Sequence, residues 1–236
     1  MEFGIFINGY LPGPASRDTD AEHLMLEREI AYGVTADLYN WKYAWYGEHH
    51  ALTEYSHMSA PEPIMGMVAA RTDRIHIGTG INSLSPRKEH PVRYAERAAM
   101  MDHITNRRFE WGTGRGAGSH EMASFNILDK DSTKAEWNEV IRQIPRMWEQ
   151  RDYMYEGESF TVPTPHNILP KPMAPGTHRS GSPAATLRPS PRQARWVLVP
   201  SPLTLSRSLD SRAVSTHTKR ALPTAPNQSG SSSTTT

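Results

Sequence analysis

The chain has 236 residues and no cysteine, and its 26 Lys and Arg against 25 Asp and Glu give a formal net charge of +1. This length allows one large domain, and the absence of cysteine excludes a disulfide framework and suits a reducing compartment. We expect a cytoplasmic protein with neither a signal peptide nor a membrane anchor, because no stretch reaches the roughly 18 apolar residues of a membrane span.

Four predicted strands alternate with four predicted helices along the first part of the chain. Short apolar runs that fit buried strands are each followed by a segment whose apolar residues have helical spacing. The predicted strands are residues 2–8, 43–46, 74–79 and 109–113, and the predicted helices are residues 18–31 and 58–71 and segments that begin at residues 91 and 133.

Capping and breaking residues set the expected ends of two helices. Asp18 and Asp20 can cap the first helix, and Gly33 is expected to close it. Thr133 and Glu136 form a predicted capping box for the fourth helix. Pro145 is expected to kink that helix or to end it early.

The alternation predicts an α/β fold with parallel strands, because each strand returns to the same sheet through a right-handed helical crossover. Alternation alone does not separate a doubly wound sheet from a (β/α) barrel. In both folds, ligands bind beyond the carboxyl ends of the strands. The polar and glycine-rich segments that follow the predicted strands are Asn8-Gly9, Glu48-His49-His50, Gly78-Thr79-Gly80 and Gly112-Thr113-Gly114-Arg115-Gly116. We therefore expect one functional site at that edge of the sheet.

The run Glu48-His49-His50 ends the second predicted strand in three ionisable groups. Successive side chains of a strand point to opposite faces, so Glu48 and His50 are expected to share one face while His49 projects to the other. His49 can then face a pocket as a catalytic imidazole. The alternative is a structural pair of a buried histidine with a glutamate. No metal site is predicted, because three adjacent residues of a strand cannot all point at one ion.

The glycine-rich run around Arg115 allows several interpretations. Residues 112–117 match the Gly-x-Gly-x-x-Gly/Ala pattern of a dinucleotide-binding turn, but that turn should open a helix directly, and we expect Ser119-His120-Glu121 to lead into an irregular segment. The glycines are better explained as a place where a ligand approaches the backbone, with Arg115 as a fixed charge for a phosphate. The alternative is an ion pair between Arg115 and a nearby carboxylate.

Five short motifs follow one another between residue 1 and about Pro172. They are Phe3-Gly4-Ile5-Phe6, Trp45-Tyr46-Gly47-Glu48-His49-His50, Arg74-Ile75-His76-Ile77-Gly78-Thr79-Gly80, His90-Pro91-Val92-Arg93-Tyr94-Ala95-Glu96 with Met101-Asp102-His103, and Arg108-Phe109-Glu110-Trp111-Gly112-Thr113-Gly114-Arg115-Gly116. In this order and spacing they resemble the bacterial luciferase-like flavin monooxygenases.

The resemblance implies a (β/α)8 TIM barrel, of which residues 1–172 would hold only the first four β/α units. It implies that reduced FMN, supplied by a separate flavin reductase, and dioxygen oxidise a small apolar substrate such as an aldehyde or an alkane. A deazaflavin-dependent oxidoreductase of the same superfamily is one alternative. A non-enzymatic half-barrel subunit is another, and a homo- or hetero-dimer is compatible with each.

The same resemblance assigns roles to individual residues. It maps the active-site imidazole onto His49 and the contact with the flavin phosphate onto Arg115. The turn beneath the flavin ring, which often contains a cis non-prolyl peptide bond, maps onto Gly80-Ile81, and Asn82 and Glu48 complete the predicted cofactor-binding residues. A histidine titrates near neutral pH and can exchange protons with a reacting group in a pocket that excludes water.

Residues 173–236 form a tail of different composition. Residues 1–170 hold 17 Lys and Arg against 24 Asp and Glu, whereas residues 171–236 hold 9 basic residues and only Asp210. The tail is rich in Ser, Thr, Pro and Arg, so we expect it to be disordered. Its arginines are scattered along the chain, so we do not expect the tail to bind nucleic acid. Our hypothesis for this change of composition is a shifted reading frame after Pro172, which replaced a fifth strand. The hypothesis predicts that the enzymatic activity of this chain is impaired.

Overall fold

The computed structural model describes residues 2–116 and 118–173, which form an α/β structure with mostly parallel strands, as predicted. The expected disorder of the tail and the hypothesis of a replaced fifth strand lie outside these residues. In chain order the elements are β1 (Gly4–Ile7), a 3-10 helix (Gly13–Arg17), α1 (Thr19–Leu38), β2 (Tyr43–Tyr46), α2 (Pro61–Ala69), β3 (His76–Thr79), β4 (Asn82–Ser83), α3 (Pro91–Ile104), β5 (Phe109–Glu110), β6 (Thr113–Gly114), α4 (Ser119–Ser124), α5 (Thr133–Glu149), β7 (Tyr153–Glu156) and β8 (Thr161–His166).

The main sheet contains β1, β2, β3 and β5 in that order, and all its pairs are parallel. β4 and β6 form a second parallel pair, in which Asn82 lies opposite Thr113. Two residues separate β3 from β4, and two separate β5 from β6. The predicted fourth strand, residues 109–113, is therefore two short strands interrupted at Trp111 and Gly112.

One face of the main sheet packs against the helices and forms the core. Ile7, Ala44, Ile77 and Phe109 are each at most 2% exposed and belong to one apolar cluster with side chains of α1, α2, α3 and α5. Phe6 points to the opposite face and is 37% exposed. The prediction that β1 is buried throughout is therefore wrong, because the helices cover only one of its faces.

Helix α1 is longer than predicted, because Gly33 lies inside it and does not close it. A Cβ atom at Gly33 would overlap the Tyr46 hydroxyl and lie 2.9 Å from Val68 Cγ1. The glycine therefore allows α1 to approach β2 and α2 closely. Asp18 caps the start of α1, as predicted.

The predicted capping box of α5 does not form. The N-cap residue is Ser132, whose side chain makes no capping hydrogen bond, and Thr133 is the first helical residue. The Glu136 carboxylate instead accepts a hydrogen bond from Ser85 at 2.5 Å and pairs with Arg87 at 2.6 Å. Glu136 therefore fastens α5 to the segment that follows β4.

Pro145 lies inside α5, so of the two predicted outcomes, a kink or an early end, the early end does not occur. Val140, Ile144 and Met147 lie on both sides of the proline and are fully buried. Packing of this apolar face offsets the backbone hydrogen bond that proline removes, since most of the stability of a helix in a protein comes from such packing.

Strands β7 and β8 form an antiparallel hairpin that the sequence analysis does not predict. Tyr153 and Val162 contribute buried side chains to the core. Pro163 and Pro165 lie within β8. Proline is confined to edge strands because it cannot donate a ladder hydrogen bond, so these two residues concealed the strand.

Two polar side chains fasten the elements at the amino ends of the strands. Near the end of α1, Asp37 Oδ1 accepts hydrogen bonds from the Arg74 and Ile75 backbone N–H groups at 3.1 and 2.7 Å. Directly before β5, the Arg108 guanidinium donates to the Ala69 and Ile75 carbonyls, both at 3.0 Å.

No helix in the described ranges is long and apolar enough to cross a bilayer.

Candidate active site

Glu48 lies in a buried polar network directly after β2. His50 Nε2 is 2.9 Å from Glu48 Oε1, the Lys88 ammonium pairs with the same oxygen, and Asn82 Nδ2 donates to Oε2 at 2.7 Å. The Glu48 and Lys88 side chains are only 6% and 8% exposed. The expectation that Glu48 and His50 share one face is therefore confirmed, and the predicted site residue Asn82 joins their network.

The protonation state of Glu48 follows from these contacts. Burial alone would raise the pKa of the Glu48 carboxyl, but the hydrogen bond from His50, the charge and hydrogen bond of Lys88 and the Asn82 amide lower that pKa to about 2. The carboxylate is ionised at neutral pH, and both of its oxygens are bound by protein groups. A contact between Glu48 and a cofactor stays a prediction.

His49 turns away from Glu48, as predicted. Its Nδ1 is 3.0 Å from Glu121 Oε1, and its ring meets the Tyr55 ring edge-on at 5.1 Å between centroids. The same Glu121 oxygen accepts the backbone N–H of His50 at 2.9 Å. Glu121 is not among the residues predicted for the site, because an irregular segment was expected where α4 lies. The available signal was an acidic residue suited to the first turn of a helix.

His49 borders a cavity of ≈ 270 Å³ with a mostly polar lining. The lining residues are Ser16, Glu22, His49, Ala51, Leu52, Thr53, Ser56, His57 and Ser59. His57 Nδ1 is 2.7 Å from Glu22 Oε1, and its Nε2 is 2.7 Å from the Thr53 carbonyl. Both ring nitrogens of His57 thus face oxygen acceptors.

The turn after β3 has the conformation that the resemblance implied, because the Gly80–Ile81 peptide bond is cis. A Cβ atom at Gly80 would lie 2.9 Å from Phe6 Cε2, and one at Gly114 would overlap Ile81 Cδ1. These glycines therefore allow close packing of the turn against β1 and β6. Asn82 follows directly and connects the turn to the Glu48 network.

Arg115 pairs with Asp131 at 3.1 Å, so the structure contains the ion pair that the sequence left as an alternative. The two side chains are 39% and 80% exposed, and exposed ion pairs contribute little free energy. A ligand anion can therefore replace Asp131 at small cost. Arg115 lines a second cavity of ≈ 540 Å³ beside Lys134 and Trp137. A contact between Arg115 and a phosphate stays a prediction.

The predicted site residues thus do not form one continuous cluster. Glu48, Asn82 and the Gly80 turn lie together, and His49 is joined to α4 through Glu121. His49 and Arg115 line different cavities, so neither cavity holds both residues, and one common site at this edge of the sheet stays a prediction. Within the described part of the chain, no three His, Asp or Glu side chains are arranged to hold a metal ion.

The family profile described as luciferase-like monooxygenase matches residues 1–206. The chain belongs to the luciferase-like monooxygenase family. The match extends past Pro172, where the resemblance carried by the five motifs ends.

Two relatives of this family member are monooxygenases by name. The 4-hydroxyprotoasukamycin monooxygenase of Streptomyces nodosus subsp. asukaensis is 34% identical over 123 residues, which are 51% of this chain and 32% of that protein. The oxygenase component of the flavin-dependent trigonelline monooxygenase of Acinetobacter baylyi is 30% identical over 166 residues, 69% of this chain and 43% of that protein. The chain therefore spans less than half the length of these relatives.

Three solved structures share the fold of this chain. The monooxygenase RslO1 of Streptomyces bottropensis has a TM-score of 0.63 at 27% identity, over 73% of this chain and 50% of that one. The oxygenating constituent of 3,6-diketocamphane monooxygenase of Pseudomonas putida, in complex with FMN, has a TM-score of 0.62 at 20% identity, over 70% and 44%. An F420-dependent secondary alcohol dehydrogenase has a TM-score of 0.56 at 18% identity, over 72% and 49%. At such identities the last two establish only the fold, which is TIM-barrel-like α/β.

Proposed function

We propose that this chain is the first part of an oxygenase that uses reduced FMN and dioxygen to oxidise a small apolar substrate such as an aldehyde or an alkane. The observation that carries the proposal is the position of His49 just after a strand of the parallel sheet, where its ring borders a cavity. The names of the relatives support the reaction class. The oxygenase component among them supports a separate flavin reductase as the source of reduced FMN.

Two buried polar atoms at the same edge of the sheet fit a flavin. Asn8 Oδ1 and Ser83 Oγ are buried and have no hydrogen-bond partner among residues 2–116 and 118–173. A Cβ atom at Gly116, whose φ is +78°, would lie 2.8 Å from Ser83 Oγ, so the glycine keeps the space beside that hydroxyl open. An unpaired buried polar atom is costly, and a ligand that hydrogen-bonds to it recovers that cost. When bound, reduced flavin would supply the electrons that activate dioxygen.

The predicted site residues would then have separate roles in binding the flavin and in the reaction. Arg115 would bind the phosphate group, and the Gly80–Ile81 turn would support the ring system. The Glu48 network would hold Asn82 and His50 in place. His49 would exchange a proton with the reacting group, as histidine does near neutral pH.

Anaerobic titration of the full chain with reduced FMN, followed by absorbance, tests the proposal, and we expect saturable micromolar binding. Arg115→Ala should weaken FMN binding about 10- to 100-fold, because a hydrogen bond to a charged group contributes about 1.5–3 kcal/mol. Binding of reduced riboflavin, which lacks the phosphate, should not change. Arg93→Ala is the matched control, since Arg93 is exposed on α3 and pairs with Glu96. Equal effects on FMN and riboflavin would contradict the phosphate contact.

The same titration separates the two alternatives. Tight binding of a reduced deazaflavin and none of FMN would identify the deazaflavin-dependent oxidoreductase. If neither cofactor binds, the chain is not an oxygenase by itself, and the non-enzymatic half-barrel subunit, whose strands a second chain completes, becomes the better explanation.

A further inference from the structure

Two carboxylates contact two adjacent histidines through different ring nitrogens. His49 faces Glu121 Oε1 with Nδ1 at 3.0 Å, whereas His50 faces Glu48 Oε1 with Nε2 at 2.9 Å. An ionised carboxylate only accepts hydrogen bonds, and a neutral imidazole has one N–H. The proton of neutral His49 therefore belongs on Nδ1, and that of neutral His50 belongs on Nε2.

Glu121 is itself held in position for this contact. Its Oε1 also accepts the His50 backbone N–H at 2.9 Å, and its side chain is 13% exposed. A side chain at Gly118 would overlap the Glu121 carboxylate, so the glycine leaves room for it. The Tyr55 ring meets the edge of the His49 ring and limits its rotation.

We propose that Glu121 is a positioning residue that fixes His49 as the Nδ1–H tautomer, while Glu48 fixes His50 in the opposite tautomer. The hydrogen bond made by one imidazole nitrogen decides which nitrogen is left for a ligand. Nε2 is then the only proton acceptor of the His49 ring. This inference rests on the proposed function only where it gives His49 the role in proton transfer.

The tautomer sets the direction of that transfer. A proton that leaves the ligand forms an N–H bond at His49 Nε2, and the ligand keeps the electron pair of the broken bond. The resulting imidazolium faces the Glu121 carboxylate, which stabilises its charge and keeps its orientation. Neutral His49 therefore acts first as a base. His50 has its Nε2 bound to Glu48 and serves to hold the network together.

Ring-nitrogen NMR spectra of the full chain labelled with 15N-histidine test the assignment directly, at a pH where the rings are neutral. His49→Gln and His50→Gln variants identify the two sets of signals. We expect a protonated Nδ1 and a bare Nε2 for His49, and the reverse for His50. A wild-type His49 that carries its proton on Nε2 would overturn the proposal without any need for a variant at position 121.

Variants of Glu121 separate its role from general support of the fold. Glu121→Ala should move His49 to the Nε2–H tautomer that free histidine prefers, whereas His50 should keep its own. Glu121→Gln retains an acceptor oxygen, oriented by the His50 N–H, and should preserve the Nδ1–H form. Glu27→Gln is the matched control, because Glu27 contacts the exposed His23 on α1. An unchanged His49 tautomer in Glu121→Ala would refute the role of Glu121.

Flavin binding is a separate measurement. If FMN binds, kcat of Glu121→Ala should fall about 100-fold, the scale of general acid-base catalysis, while the FMN dissociation constant changes less than about threefold. A fall in FMN affinity with an unchanged kcat would contradict the positioning role. If His49 has the expected tautomer but FMN does not bind, the tautomer assignment stands and the oxygenase proposal fails.

Discussion

His49 and His50 are neighbours in the chain, but their rings contact different carboxylates through different nitrogens. Glu48 and His50 are close in sequence, so the alternation of side chains along a strand was enough to predict that they share one face. Glu121 lies 72 residues from His49, and no local pattern reveals a contact over that separation. The sequence therefore pointed to His49, whereas only the fold identified the carboxylate that contacts its ring.

Replacement of His49 by Gln should remove the proton exchange and leave the binding of flavin intact. We expect kcat to fall about 10²- to 10⁴-fold, the usual contribution of a general acid or base, and the FMN dissociation constant to stay within about threefold. Steady-state kinetics with a flavin reductase and an equilibrium titration measure the two quantities. His23→Gln, at an exposed ring of α1, is the control and should match the wild type.

Glu48 makes the stability of the protein depend on pH. Its pKa is lowered from 4.5 to about 2 in the folded state, so its contribution is complete above pH 4.5 and is lost as the pH falls towards 2. Glu48→Gln should cost about 3–5 kcal/mol of unfolding free energy at neutral pH, because it leaves the buried Lys88 ammonium without its anion.

Urea unfolding of the wild type and of Glu48→Gln over a series of pH values measures this dependence. The difference between the two should be constant above pH 4.5 and shrink as the wild-type carboxylate becomes protonated towards pH 2. Glu54→Gln removes an exposed carboxylate and serves as the control. A difference that does not change with pH would show that the charge of Glu48 is not what stabilises the fold.

At the scale of elements, the sequence predicted the order of strands and helices better than their ends. The positions of β2 and of the cap of α1 follow from local patterns and were predicted correctly. Gly33 and Pro145 are general helix breakers, and both lie inside helices because tertiary packing outweighs their local preference. The hairpin of β7 and β8 was missed for the corresponding reason, since proline is tolerated where a strand lies at an edge.

Two glycines in helix interiors offer a matched pair of variants. Gly33→Ala should destabilise the protein by about 1–3 kcal/mol, because the new methyl group overlaps Tyr46 and the core must shift. Gly66→Ala in α2 should stabilise it by up to about 1 kcal/mol, since the nearest atom, Ile104 Cδ1, lies 3.7 Å from the added Cβ. Urea unfolding measures both, and effects of the same sign would contradict the close packing of α1.

At the scale of the whole molecule, the outer strands of the main sheet offer a surface for association. Among the described strands, β1 and β5 are the outer members of the main sheet. Outer strands present unpaired backbone groups that join readily with another chain. We therefore expect light scattering after size exclusion to give at least a dimer, formed either by two copies or with a second subunit. A monomer at high protein concentration would contradict this expectation.

The two edges of the sheet carry different kinds of contact. At the amino edge, Asp37 and Arg108 form hydrogen bonds with backbone groups of neighbouring elements and so stabilise the fold. At the carboxyl edge lie the histidines, the cis turn and Arg115. Because these two sets of contacts share no residue, the chemistry at one edge can diversify through its loops while the other edge continues to secure the architecture. Substitutions at the amino edge should therefore reduce the amount of native protein, whereas substitutions at the carboxyl edge should alter the activity of each native molecule.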